Sequence, residues 1–147
     1  MKISLRIPEK SDVSAWLKMM QDYYSEDGHS WHEDRQSGAV DMLVQGGVPA
    51  SAWLIEQDKV LCGYVVLTIS FSLETGGMDG FIDELYICPD FRNKGLGGKV
   101  LEFVHEEARQ QGLKRIYLEV EKGNPAIRLY KRSGYNDHNR SLLSRWL

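Results

Sequence analysis

The chain has 147 residues, 42% hydrophobic and 27% charged, with a formal net charge of −3. That size and composition fit a single globular domain spanning residues 1–147. The slight acidity gives no electrostatic footing for nucleic acid, and no apolar run reaches the roughly 18 residues that a membrane span needs.

The N-terminus alternates, with Ile3, Leu5 and Ile7 against Lys2, Ser4 and Arg6. This reads as a first strand, ended by Pro8, and it lacks the apolar block of a secretion signal. From about Ser11 to Tyr24, Val13, Trp16, Leu17 and Met20 fall at helical spacing, with Ser11 or Asp12 as the expected cap. A polar, acidic and aromatic stretch from Ser25 to Asp34 breaks the pattern. A second helix is expected over about Asp34 to Gln45, closed by Gly46-Gly47 and Pro49. Ser51–Glu56 and Val60–Phe71 read as a hairpin across Gln57-Asp58-Lys59. Ser72 to Gly80 reads as a loop and Phe81 to Cys88 as a strand carrying Asp83 and Glu84. A glycine-rich turn and a helix to about Gln111 follow. Arg115 to Val120 alternates again, Asn124 opens a short helix ending near Ser133-Gly134, and Tyr135 and Ser141–Leu147 are expected as two last strands. The resulting order, β-α-α-β-β-β-α-β-α-β-β, is a mixed sheet with helices, in the α/β or α+β range. Cys62 and Cys88 lie inside apolar runs and read as reduced core thiols of a cytoplasmic protein.

The most informative stretch is Arg92-Asn93-Lys94-Gly95-Leu96-Gly97-Gly98-Lys99, between a strand and a helix. A helix start presents unpaired N–H groups and partial positive charge, and glycines let a ligand approach the backbone. The stretch is therefore an anion site, most naturally for phosphate. A Walker loop needs Ser or Thr after Gly-Lys, and Val100 stands there. A dinucleotide fingerprint needs a third glycine, again at Val100. The remaining pattern is Arg-x-x-Gly-x-Gly at Arg92, Gly95 and Gly97. It is flanked by Glu84-Leu85-Tyr86-Ile87-Cys88-Pro89 upstream and by Asn124-Pro125-Ala126-Ile127-Arg128-Leu129-Tyr130 through Tyr135 downstream.

In these motifs, over about Phe81 to Tyr135, the chain resembles the GNAT family, the GCN5-related N-acetyltransferases. Asn93 departs from the glycine that many members carry there. The resemblance implies a mostly antiparallel sheet splayed between its fourth and fifth strands, flanked by helices. It implies acetyl-CoA as co-substrate, with no metal. The pyrophosphate would lie on the turn from Arg92 to Lys99. The pantetheine arm would lie along Leu85, Tyr86 and Ile87, with Asn124 and Tyr130 on the other side.

Acetyl transfer to an amine needs an acceptor for the amine proton and a donor to the leaving thiolate. Tyr130 matches the tyrosine acid of several members. Glu84, Asp83 and Glu119 are three candidates for the base, since members place an acid at each of these settings. Asp83 and Glu84 are adjacent on one strand, so regular alternation sends them to opposite faces. Cys88 as an acyl carrier lacks an activating histidine nearby in sequence.

In the family, the segment between the first two helices shapes the acceptor pocket. Here Tyr24, Glu26, Asp27 and Trp31 suit a cationic amine by ion pairing and cation–π contact. His29-x-x-His32 is only half of a metal site. The expected acceptor is a small-molecule primary amine such as a polyamine or amino acid, with direct attack in a ternary complex. A protein or peptide N-terminus and a non-catalytic acyl-CoA sensor are the alternatives. A homodimer is one option for assembly.

Overall fold

The computed structural model describes residues 1–147. Five strands form one sheet in the order β1-β2-β3-β4-β5, namely β1 (Ile3–Arg6), β2 (Ala50–Gln57), β3 (Val60–Ser72), β4 (Gly77–Ile87) and β5 (Ile116–Tyr117). β1 to β4 are antiparallel, whereas β4 and β5 are parallel. Four helices flank the sheet: α1 (Val13–Asp27), α2 (Glu33–Gln45), α3 (Leu96–Gln110) and α4 (Ile127–Arg132). None is long and apolar enough to cross a membrane.

Alternation along β3 divides the core into two layers. Val65 and Leu67 pack toward α3, meeting Leu96, Val100, Leu101, Val104 and Ala108. Tyr64 and Val66 pack toward α1 and α2, meeting Trp16, Met19, Met20 and Val40. Each such aliphatic side chain taken from water contributes about 1.5–3 kcal/mol. Gly63 on β3 is required by close approach, because a Cβ there would stand 2.3 Å from the Tyr86 carbonyl oxygen.

Several boundaries differ from the sequence expectation. The hairpin after β2 turns on Asp58 and Lys59, both at positive φ, as a two-residue loop with the twist of its strands requires. Asp12 does not cap α1 with its side chain. Its carboxylate instead accepts from the Glu9 N–H and from Arg6, which also bonds Glu56. α1 runs on to Asp27 and stops at Gly28, which takes the left-handed conformation. The expected loop from Ser72 to Gly80 is mostly strand, since β4 already starts at Gly77. Asp79 sits in this strand, its side chain 2% exposed, because Arg115 (2.8 Å) and Ser70 (2.8 Å) satisfy its carboxylate.

β5 is only two residues long, not the six of Arg115 to Val120, and the two last strands do not form. A strand needs a ladder partner. β5 departs from β4 after the Gly80–Ile116 and Phe81–Tyr117 pairs, so it offers almost no edge. Leu142, Leu143 and Trp146 stay exposed, and Trp146 stacks under the Arg35 guanidinium of α2 at 4.6 Å.

Asp79–Arg115 latches β5 to β4 at the one place where they pair. Removing one partner of a fully buried ion pair costs about 3–5 kcal/mol. Arg115 is more open than Asp79, so Arg115→Ala is expected to cost about 2 kcal/mol, lowering Tm by about 4–8 °C in thermal denaturation. Adding Asp79→Asn should recover part of the loss. An unchanged Tm in the single variant would remove the latch.

Candidate active site

The site begins at an irregularity in β4. Val66 on β3 faces Glu84, but the next residue, Leu67, faces Ile82. Asp83 is thus the extra residue of a β-bulge, and the bulge resets the alternation of β4. Ile82 packs toward α3; two residues later Glu84 faces α1 and α2, while Leu85 and Ile87 return to the α3 side. The expectation that Asp83 and Glu84 occupy opposite faces therefore fails. Both line one cavity of about 100 Å³, with Trp16, Met20, Tyr24, Gln36, Val40, Leu43, Tyr64 and Val66.

Glu84 is held at both oxygens. Tyr24 on α1 donates its hydroxyl to one at 2.6 Å, and Tyr64 on β3 donates to the other at 2.8 Å. Burial and the Glu84 charge push both phenols above the usual tyrosine range, so they remain protonated donors. Burial raises the pKa of Glu84, and the two hydroxyls pull it partly back. The Asp83 side chain is open to solvent on one side, yet the surrounding protein removes enough water to raise its pKa as well.

Aromatic rings cluster around Tyr24 and Tyr23 at the end of α1. Tyr24 meets Trp31 edge-on at 5.5 Å and His29 at 5.6 Å, and Tyr23 lies 5.5 Å from Tyr86. His29 also approaches the Asp27 carboxylate at 3.4 Å. Trp31 contacts Tyr24 without entering the cavity wall; its indole N–H donates to Glu33 at 2.8 Å. Glu26 does not face the cavity either. It grips Arg92 through two hydrogen bonds of 2.6 and 2.9 Å, while Arg92 Nε donates to the Ile87 carbonyl at 2.8 Å. Arg92 thereby ties the end of α1 and the end of β4 to the glycine-rich turn.

That turn has the geometry of an anion cradle. Asn93 and Gly95 both adopt left-handed conformations, at φ of 59° and 77°. Asparagine tolerates this region better than other side chains, which accounts for its standing in place of glycine. No N–H from Asn93 to Gly98 takes part in the backbone hydrogen bonds outside the regular elements, and the first residues of a helix have no acceptor one turn back. These donors are free for a ligand. Lys94 folds back to the Asp90 carbonyl, and Leu96 is buried in the α3 layer. Gly97 and Gly98 differ in role: a Cβ on Gly97 would stand 2.8 Å from Leu129 of α4, whereas one on Gly98 meets nothing within 4 Å.

Across from β4, the Asn124 side chain accepts from the Ala126 N–H at 2.9 Å and sets the turn into α4. α4 carries Tyr130, whose ring meets Tyr135 edge-on at 5.9 Å. Burial first and the Asp27 charge second raise its pKa. Glu119 lies beyond β5, exposed and outside the cavity wall. Cys62 and Cys88 are free, and burial pushes Cys62 up to about 11 and Cys88 upward, so neither is a ready nucleophile.

A model of the acetyltransferase (GNAT) family matches residues 14–135. The chain belongs to that family. As a member it is an N-acetyltransferase. It is similar to glucosamine 6-phosphate N-acetyltransferase of Trypanosoma brucei brucei, at 23% identity over 95% of this chain and 93% of that protein. Among solved structures, the integron cassette protein HFX_CASS3, from the mobile metagenome of Cole Harbour Salt Marsh, is 30% identical. It covers 97% of this chain and 90% of its own, with a TM-score of 0.84. AAC(6')-Iy, solved in complex with a bisubstrate analogue, CoA-S-monomethyl-acetylneamine, shares the fold at 13% identity. Its TM-score is also 0.84, over 100% of this chain and 99% of its own.

Sequence reasoning did not single out Tyr64, which lies within the apolar strand Val60–Phe71, or Trp16, one of the residues at helical spacing in the first helix. Two successive acids inside an apolar strand were the available sign of the bulge. The two glycines give a direct check. Gly97→Ala should cost about 1–2 kcal/mol by crowding Leu129, while Gly98→Ala should stabilise by about 0.5 kcal/mol. Urea denaturation that found equal effects would overturn the assignment of Gly97 to packing.

Proposed function

We propose that the chain moves an acetyl group from acetyl-CoA to the primary amine of a small molecule by direct attack in a ternary complex. The observation that carries this reading is the Glu84 carboxylate, gripped by two tyrosine hydroxyls in a cavity beside the unpaired half of β4. An alkyl amine has a pKa near 10.4, so at neutral pH roughly one molecule in a few thousand is nucleophilic. Asp83 and Glu84 attract the ammonium form, which first gives one proton to solvent; Glu84 then takes a second from the nitrogen as the neutral amine attacks. Each Glu84 oxygen spends one lone pair on a tyrosine and keeps another for the amine. Asp83 is the second choice for the base, and the exposed position of Glu119 does not support it.

The free N–H groups from Asn93 to Gly98 suit the pyrophosphate of CoA. Leu85, Tyr86 and Ile87, on the half of β4 that β5 leaves unpaired, suit its pantetheine arm. Tyr130, on the far wall, protonates the departing thiolate, and its raised pKa keeps the proton available at neutral pH. Asp27 and Tyr24 border the path of the amine.

Glu84→Gln should lower turnover between about a hundredfold and ten-thousandfold in a thiol-release assay. It should not lower Tm. The folded pKa of Glu84 lies above its unfolded value, so its burial takes away stability as pH rises through the folded pKa. The glutamine variant should lack that decline. A larger loss of turnover in Asp83→Asn would move the base to Asp83. Tyr130→Phe should lower kcat by at least tenfold with little change in acetyl-CoA affinity by calorimetry; unchanged kcat would remove it as the acid.

A further inference from the structure

α4, the helix that carries Tyr130, has only six residues. A helix of that length is not stable alone in water, so its place depends on what it docks to. Its dock is α3. Leu129 packs on Gly97, where even a Cβ would crowd it at 2.8 Å. Just past the end of α4, the Tyr135 hydroxyl hydrogen-bonds His105 Nε2 at 2.8 Å. Gly97, Leu101 and His105 are four residues apart and share one face of α3. Gly97 and His105 are therefore about 12 Å apart along the helix axis. α4 is held to this stripe at two points, one apolar and one polar.

The polar point reaches Tyr130 directly. Gly134 takes the left-handed conformation at φ of 94°, and the chain folds back so that the Tyr135 N–H donates to the Tyr130 carbonyl at 3.0 Å. The Tyr135 ring then meets the Tyr130 ring edge-on. Unlike Tyr24, Tyr64 and Tyr135, Tyr130 makes no hydrogen bond at its hydroxyl. Nothing but backbone and ring contacts sets its direction. Burial holds the His105 imidazole below its ordinary pKa and the Tyr135 phenol above its own. At neutral pH the bond between them thus joins two uncharged groups.

We propose that His105 is a positioning residue: through Tyr135 it aims the ring of Tyr130 for proton donation. This rests on the reading of Tyr130 as the acid and adds the group that aims it. In the transfer step the proton passes from the Tyr130 hydroxyl to the thiolate sulfur; His105 and Tyr135 exchange none. The geometry has a further consequence for spacing. α3 starts at the glycine-rich turn and carries His105 on the same stripe as Gly97, so one rigid helix fixes how far Tyr130 stands from the anion cradle.

The test measures thiol release from acetyl-CoA with 1,3-diaminopropane as acceptor. It also follows the Tyr130 resonance in fluorotyrosine-labelled protein, assigned by its loss in Tyr130→Phe. His105→Phe and Tyr135→Phe should each lower kcat about three- to tenfold, with the acetyl-CoA KM within about twofold. Both should move the Tyr130 resonance. His105→Gln, which still reaches the hydroxyl, should restore both readings. In a Tyr130→Phe background neither substitution should lower kcat further. An unmoved resonance overturns the proposal, whatever the turnover. So do equal losses of kcat with and without Tyr130, or an unchanged kcat in His105→Phe where Tyr130→Phe lowers it. A moved resonance beside an unchanged kcat in Tyr130→Phe upholds the positioning and removes Tyr130 as the acid. If His105→Phe does not fold, Tyr135→Phe, which lacks only the hydroxyl oxygen, decides.

Discussion

The bulge at Asp83 is the constraint on which the site depends. It follows within two residues of Phe81, the last β4 residue paired with β5. A bulge bends a strand and increases its twist, so the second half of β4 leaves its parallel neighbour and opens a cleft. The same extra residue resets which side chains face which layer. Without it, Glu84 would point toward α3 and the pair with Tyr64 could not form. One irregularity therefore opens the sheet and aims the carboxylates into the cavity.

Arg92 joins the parts that the bulge separates. Its guanidinium lies 5.5 Å from the centre of the Tyr86 ring, and its bonds reach Glu26 and the Ile87 carbonyl. Glu26 holds Arg92 above its ordinary pKa, and Arg92 holds the Glu26 carboxyl below its own. The pair is partly exposed, so it adds little to overall stability. Its effect is positional: the last turn of α1, carrying Tyr23, Tyr24 and Asp27, is held against the glycine-rich turn. A shift of that helix end would move the Glu84 hydrogen bonds and the anion cradle together.

Much of this was legible in the sequence. Period-2 and period-3.6 patterns locate β1 to β4 and α1 to α3, and Arg92, Gly95 and Gly97 locate the cradle. The rest depended on contacts between distant segments. The tail from Ser141 to Leu147 has the alternation of a strand, but β5 gives it no ladder to join. Glu26 has the composition of an acceptor ligand, and only the fold brings Arg92, 66 residues away, within 2.6 Å. Asp79 reads as a loop residue because its partner, Arg115, comes 36 residues later. Tyr64 reads as core because a hydroxyl in an apolar strand reveals its role only once Glu84 stands beside it.

The polar groups divide into those that hold the fold and those that strain it. Arg6 with Asp12 and Glu56 joins the start of the chain to β2, and Arg6 draws the Asp12 carboxyl down to about 2. A depressed carboxyl favours the folded state above its unfolded pKa, so this clamp acts throughout the neutral range and weakens only in acid. Asp83 and Glu84 act in the opposite direction. Their pKa values rise on folding, because the surrounding protein takes water from both carboxylates. Two tyrosine hydroxyls reduce the cost at Glu84 without removing it, and no cation in the cavity wall removes it either. A cationic acceptor of the kind proposed would supply the missing charge. Under the proposed function, binding such an amine would recover the free energy lost in burying Glu84, so the carboxylate would select for an amine before it takes a proton.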